Sequence, residues 1–193
     1  MFPMTRLFLL LSLPVLLFAG CSPMKPEDFA GSEPRFVVEE YFAGQTRAWG
    51  IFQDRFGTVR RQFVVDIDGA WDGQTLTLTE DFRYADGETD RRVWKIRRTG
   101  EHAYEGRADD VEGVAVGAAY GQALNWSYTL RLRVGDDTWR VRFDDWMFLQ
   151  PDGKLINRAT VSKFGITIGE VLIFFSKERP TAARTEEYRR SAA

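Results

Sequence analysis

Glu80 is the carboxylate whose position most needs explaining. It lies in a run where Leu76, Leu78, Phe82 and Tyr84 alternate with Thr75, Thr77, Thr79, Asp81 and Arg83. Glu80 falls in phase with the apolar set, on the face that alternation assigns to the interior. A carboxylate there needs a partner, and Arg92, in phase with Trp94 and Ile96 beyond the Asp86-Gly87-Glu88 turn, is the one at hand. A three-residue loop predicts Phe82 opposite Arg92 and Glu80 opposite Trp94, making Glu80 and Arg92 diagonal neighbours. Such a pair is either a structural ion pair or a polar anchor for a ligand head group, and the structural role is the commoner one.

Asp144-Asp145-Trp146-Met147 forms a second constellation. Up to Phe143 the odd positions are apolar, whereas Trp146 and Phe148 are even. The slip predicts a β-bulge at the paired aspartates that turns Asp145 inward. Around the turn at Pro151 to Lys154, Phe148 is expected opposite Asn157 and Trp146 opposite Ala159, bringing Asp145, Asn157 and Arg158 together near one end. A glycosidase-like use of the aspartates is disfavoured, because neighbours on a strand point to opposite faces.

Other chemistry is narrowed by composition. One Cys and one His exclude a disulfide framework and a Cys/His zinc site. His102, after Gly100-Glu101, is expected to be exposed and has no evident nucleophile to activate. No Gly-x-Ser-x-Gly, phosphate-binding loop or dinucleotide fingerprint is present, so no cofactor, metal or catalytic residue is assigned. The 26 basic and 28 acidic residues nearly cancel, which argues against nucleic-acid binding.

The elements that must position these residues alternate with period two. In 125–134, Trp126, Tyr128, Leu130, Leu132 and Val134 face one way; in 139–144, Trp139, Val141 and Phe143 do the same. Further strands are expected at 36–42, 48–53, 61–68, 92–98, 103–108, 155–163 and 167–176, separated by Asp-Gly and similar turns. Gly113, Gly117 and Gly121, with alanines between, read as a bend or a lid, the bend being favoured. About ten antiparallel strands with short loops predict an all-β fold, an up-and-down barrel, with a β-sandwich as the alternative that alternation fits equally. The outward face, rich in Arg, Thr and Asp, lacks the apolar band of a transmembrane barrel.

The ends of the chain read differently. Residues 1–20 have the Arg6 charge, the apolar run from Leu7 to Phe18 and the small residues of a signal peptide. Leu17-Phe18-Ala19-Gly20-Cys21 resembles the lipobox of bacterial lipoproteins, with Phe18 where an aliphatic residue is usual. That resemblance implies a lipid on Cys21; Ser22 in place of Asp favours the outer membrane, periplasmic face. Residues 21–34, with three prolines, are expected to be a flexible tether, 35–178 the β domain and 179–193 a polar tail.

An ordered set of motifs runs through the domain: Asp54-Arg55-x-Gly57, Leu78-x-Glu80-x-Phe82-x-Tyr84-x-Asp86-Gly87, Arg92-x-Trp94, Gly113-x-Ala115-x-Gly117, Trp126-x-Tyr128, Asp145-Trp146-Met147, Asn157-Arg158 and Lys163-Phe164-Gly165. With the lipobox, this set resembles the DUF3833 lipoproteins of Gram-negative bacteria, a group without an established activity. The resemblance implies an envelope location and, from the lipid-modification genes that often accompany the family, a lipid-related role. The barrel is also similar to lipocalins by analogy of fold, which does not by itself give function.

Three functions follow as expectations. The first is a binding module: a lumen lined by Phe82, Trp94, Trp126, Tyr128 and Trp146, with Glu80, Arg92, Asp145, Asn157 and Arg158 as polar contacts, holding a fatty acid or membrane lipid. The second is a structural or assembly lipoprotein with a filled barrel that docks on an envelope protein. The third, ranked lowest, is a lipid- or glycan-modifying enzyme using Glu80 and Asp145.

Overall fold

The computed structural model describes residues 23–135 and 137–177, so the signal segment, Cys21 and the tail from 178 onward lie outside the described residues. A short 3-10 turn (Pro26–Phe29) and a one-turn helix α1 (Val38–Phe42) precede ten strands. These are β1 (Gly44–Asp54), β2 (Val59–Trp71), β3 (Leu76–Tyr84), β4 (Thr89–Arg98), β5 (Ala103–Arg107), β6 (Ala115–Tyr120), β7 (Ala123–Val134), β8 (Asp137–Leu149), β9 (Leu155–Lys163) and β10 (Ile166–Ser176). Each strand pairs antiparallel with the next, and β10 returns to β1, Trp49 opposite Phe174, to close a lipocalin-like up-and-down barrel. The sandwich alternative falls away, and closure leaves no strand edge to protect.

The expected strand count holds with one exchange. Residues 36–42, read as a strand, form α1 and its approach. Val38, Tyr41 and Phe42, spaced i, i+3 and i+4, are all buried, so one face of the turn is apolar. With Phe36 they cap one end of the barrel, where Phe42 meets Phe175 edge-on at 5.7 Å. The Tyr104 hydroxyl donates to Glu39 of α1 at 3.0 Å and ties cap to wall.

The missing strand is β6, the stretch read as a bend or a lid. Gly117 stands directly opposite Trp126. A Cβ on Gly117 would come within 2.3 Å of the Trp126 ring, and one on Gly106 of β5 within 2.6 Å. The two glycines are the bed on which a buried indole lies, a close-approach use of glycine inside strands.

The segment expected to be a free tether also packs. Phe29 sets its ring 6.0 Å from Trp146 and 5.4 Å from Phe148, and the Gln122 N–H donates to the Ser32 hydroxyl. The Phe36 N–H then donates to the Gly121 carbonyl at 2.7 Å, so the chain is held to the barrel before α1 begins.

Two hairpin registers differ from expectation, β3–β4 by two residues and β8–β9 by one. The β3–β4 loop is Ala85-Asp86-Gly87, closed by the Tyr84 N–H on the Glu88 carbonyl, with Gly87 at φ 91°. Glu80 therefore lies directly opposite Arg92, and Leu78 opposite Trp94. On β8–β9, Phe148 faces Ile156, Met147 faces Asn157 and Trp146 faces Arg158.

Candidate functional site

Inside the barrel the two ends differ. Next to α1 the inward side chains, among them Ile67, Leu76, Leu78, Ile96 and Leu155, are buried. Toward the opposite end, Phe52, Phe63, Phe82, Tyr128, Phe143 and Ile173 also turn inward against the core yet stay only half-buried. At that end the inward side chains are thus partly open to solvent. On its rim, Phe56 and Phe164 are 78% and 90% exposed.

A polar cluster sits midway. Glu80 on β3 and Arg92 on β4 approach to 3.9 Å, their side chains 15% and 18% exposed. The better partner of Arg92 is Asp110, from the β5–β6 connection, which its Nε and Nη2 reach at 2.9 and 2.7 Å. Such two-pronged contacts are the strong form of the pair. The connection is held against β7 by a Val111–Leu130 bridge and by the Arg131 N–H donating to the Asp110 carbonyl. Asp145 enters from β8, 5% exposed, beside Trp126 of β7.

Burial sets the electrostatics. It pushes the Glu80 carboxyl up to about 7; Arg92 opposes the rise, Asp110 adds to it, and the Trp94 indole N–H, directed at Glu80, opposes it. Burial likewise pushes Asp145 up to about 7, with the Tyr128 hydroxyl working against it and Asp144 with it. Burial works against the Arg92 charge, but Glu80 and Asp110 outweigh it and keep the guanidinium protonated.

Aromatic rings enclose these groups. Trp94 lies edge-on to Trp126 at 5.9 Å and to Tyr128 at 5.3 Å, and Tyr128 stacks on Phe143 at 5.2 Å. The Arg92 guanidinium stands 5.5 Å from the centre of Phe82.

Of the residues singled out in the sequence, Glu80, Phe82, Arg92, Trp94, Trp126, Tyr128, Asp145 and Asn157 face the interior. Asn157 is fully buried, its amide reaching the Trp146 carbonyl at 3.4 Å. Trp146 and Arg158 are corrections. No register shift interrupts β8, so Asp145 points inward by simple alternation, and Trp146 and Phe148 point outward beneath Phe29. Arg158 also points outward, 63% exposed, paired with Glu170. Asp110, Phe63 and Phe143 belong to the site but were not singled out. Asp110 sits between strands, where no alternation assigns a face; the aromatic count and the alternation of β2 and β8 could have found the other two. His102 is half-buried, its Nδ1 2.8 Å from the Ala119 carbonyl and its ring stacked on Tyr120 at 3.8 Å. This is a packing role at the capped end.

The outer wall is not uniformly polar. Trp49, Ile51, Val64, Ile156, Leu172 and Phe174 line an open groove of about 730 Å³ across β9, β10, β1 and β2, edged by Arg47 and Arg83. Among the described residues no helix is long and apolar enough to cross a membrane.

The barrel resembles the solved structure of an S-type phycobiliprotein lyase from Guillardia theta, with a TM-score of 0.53 at 11% identity over 75% of this chain and 94% of that one. At that identity the likeness speaks for the fold. A family described as protein of unknown function (DUF3833) matches residues 15–177, and the chain therefore belongs to the DUF3833 family.

Proposed function

We propose that this protein is a lipid-anchored barrel that takes a hydrophobic small molecule, a lipid with an acyl chain, into its open half. The observation that carries this reading is the contrast within the lumen: one end is sealed by α1, and the other is lined by half-buried aromatics around a few inward polar groups. Apolar walls with a small number of placed polar contacts are the usual composition of a small-molecule site. Native mass spectrometry of protein purified from its host tests it. A co-purified ligand of defined mass, lost when Phe82 and Phe143 are both replaced by Asp, is the expected result; a ligand-free spectrum after gentle extraction overturns it.

The anchor belongs to the same proposal. Cys21 in its lipobox-like setting supports lipidation, and more than one acyl chain gives stable attachment. Outer-membrane attachment on the periplasmic face rests on Ser22 after the cysteine. Cys21→Ala is expected to release the protein from membranes, read by fractionation.

The docking reading has one observation in its favour, the apolar groove on the outer wall. Under it, Trp49→Glu would abolish capture of an envelope partner and leave the lumen's ligand in place.

A further inference from the structure

We infer that the groove on the outer wall is a ligand site separate from the lumen, taking a single-chain fatty carboxylate whose tail lies on an apolar row and whose head meets Arg47 and Arg83. The inference goes beyond the lumen reading and does not depend on it. Outward positions of a strand facing water are ordinarily polar. Here one row of directly paired outward residues runs Ile156, Phe174, Trp49, Val64 and Arg83 across β9, β10, β1, β2 and β3. Leu172 and Ile51, opposite each other, flank it on the next outward row toward the open end. Ile156, Leu172 and Phe174 are 44%, 37% and 42% exposed. Apolar side chains left in water singly need no explanation, but a contiguous set marks a binding surface.

Size and shape fit a chain. The groove holds about 730 Å³, within the roughly 300–1,000 Å³ usual for small-molecule sites. Four strand spacings separate Ile156 from Arg83, roughly 19 Å along the wall. That is the span of an extended acyl chain with its head group. Trp49 and Phe174, with ring centres 6.2 Å apart, stand at the middle of the row, where a chain would cross them.

Charge gives the groove a direction. The charged side chains that line it are both guanidiniums, Arg47 and Arg83, and among the described residues no carboxylate lines it. Asp66, behind them on β2, pairs with Arg83 at 2.8 Å. It stands 3.7 Å from Arg47 Nε, which is buried without a hydrogen-bond partner, so Asp66 holds Arg47 by charge alone. Asp81, opposite Asp66 on β3, is taken up by both prongs of Arg91. Two guanidiniums on one carboxylate leave one positive charge over, which matches a head group with a single negative charge. A guanidinium also presents its N–H groups at the spacing of carboxylate oxygens. Beyond the other end of the groove, Arg158 and Glu170 neutralise each other. The head therefore belongs at the β2–β3 end and the tail toward β9.

The test follows the indole N–H signals of the six tryptophans by NMR during titration of the purified protein with decanoate, decylamine and 1-decanol at neutral pH, below micelle formation. Trp49→Phe assigns the signal of Trp49. Decanoate should move that signal saturably, at roughly fivefold lower concentration than either other probe, the worth of one partly exposed charge contact. Arg83→Gln should remove the advantage and leave 1-decanol unchanged. Leu172→Glu, at an exposed position, should abolish the shift while the Trp94 and Trp126 signals of the folded barrel stay in place. Decylamine or 1-decanol matching decanoate, or a Trp49 signal that decanoate leaves unmoved, overturns the assignment. So does a Trp49 signal that moves with protein concentration alone, which marks the groove as a contact between copies of this chain. Trp94 and Trp126 report on the lumen independently, so the two readings fail separately.

Discussion

The capped half and the open half of the barrel are built from the same ten strands with opposite contents. At the capped end, Phe36, Val38, Tyr41 and Phe42 close over a buried, mostly apolar floor, and glycines on β5 and β6 let Trp126 lie flat against the wall. Toward the open end, rings of similar size stay half-buried, beyond a midway cluster of carboxylates that burial keeps partly protonated. One half gains from close packing; the other carries charge at a cost in stability. Stability resides chiefly in the first, and the proposed ligand site lies in the second.

The sharpest way to break this division is Phe36→Ala. Emptying the space of a fully buried ring should cost about 3–5 kcal/mol in urea unfolding, while ligand binding at the far end stays unchanged in the folded protein. Next comes Arg92→Met, which strands Glu80 and Asp110 together; about 3 kcal/mol should be lost at pH 8. The loss should be smaller at pH 5, where Glu80 holds its proton. Gly117→Ala pushes a methyl into the Trp126 ring and the Asn125 carbonyl and should cost about 1–3 kcal/mol, visible as a lower Tm.

A subtler effect is expected from Asp145→Asn. The folded carboxyl titrates at about 7, against 3.8 for the ordinary side chain. Between those values the folded chain holds a proton that the unfolded chain has released, so this group's contribution is greatest below pH 3.8 and is lost as pH rises to about 7. The variant lacks that loss. Its stability relative to the parent should climb from pH 4 to 7 and then level off; a constant difference in denaturant titrations would show that Asp145 stays ionised. The smallest effect belongs to Arg158→Ala, an exposed pair on the outer wall, where less than about 1 kcal/mol should be lost and ligand binding should not change.

Alternation placed most inward residues correctly because each strand has one face on the core and one on water, so period two carries the information. It failed where that premise failed. Trp146 and Phe148 are apolar and outward because Phe29 covers them, and a covered outer face looks like a change of phase. Residues 36–42 are rich in β-branched and aromatic side chains and so read as a strand, but Val38, Tyr41 and Phe42 satisfy one helical turn, and only the barrel end that this turn covers decides between them. The errors of register came from turns that could be centred in two ways, around Asp86-Gly87 for β3–β4 and around Asp152-Gly153 for β8–β9. Asp110 was out of reach altogether, since a connection between strands carries no periodic signal.

The packed stretch ahead of α1 also fixes a direction. The 3-10 turn and Phe29 lie at the capped end, where the Phe36 N–H reaches Gly121. Cys21 precedes Lys25 by four residues, which reach at most ~14 Å when extended. A strand the length of β7, 12 residues, runs roughly 40 Å. If Cys21 carries the lipid, the leash is too short for the barrel to turn over. The capped end then sits toward the anchoring leaflet and the mouth looks away from it. Cargo would be exchanged across the aqueous gap, with a carrier or a facing surface, and not with the membrane that holds the protein.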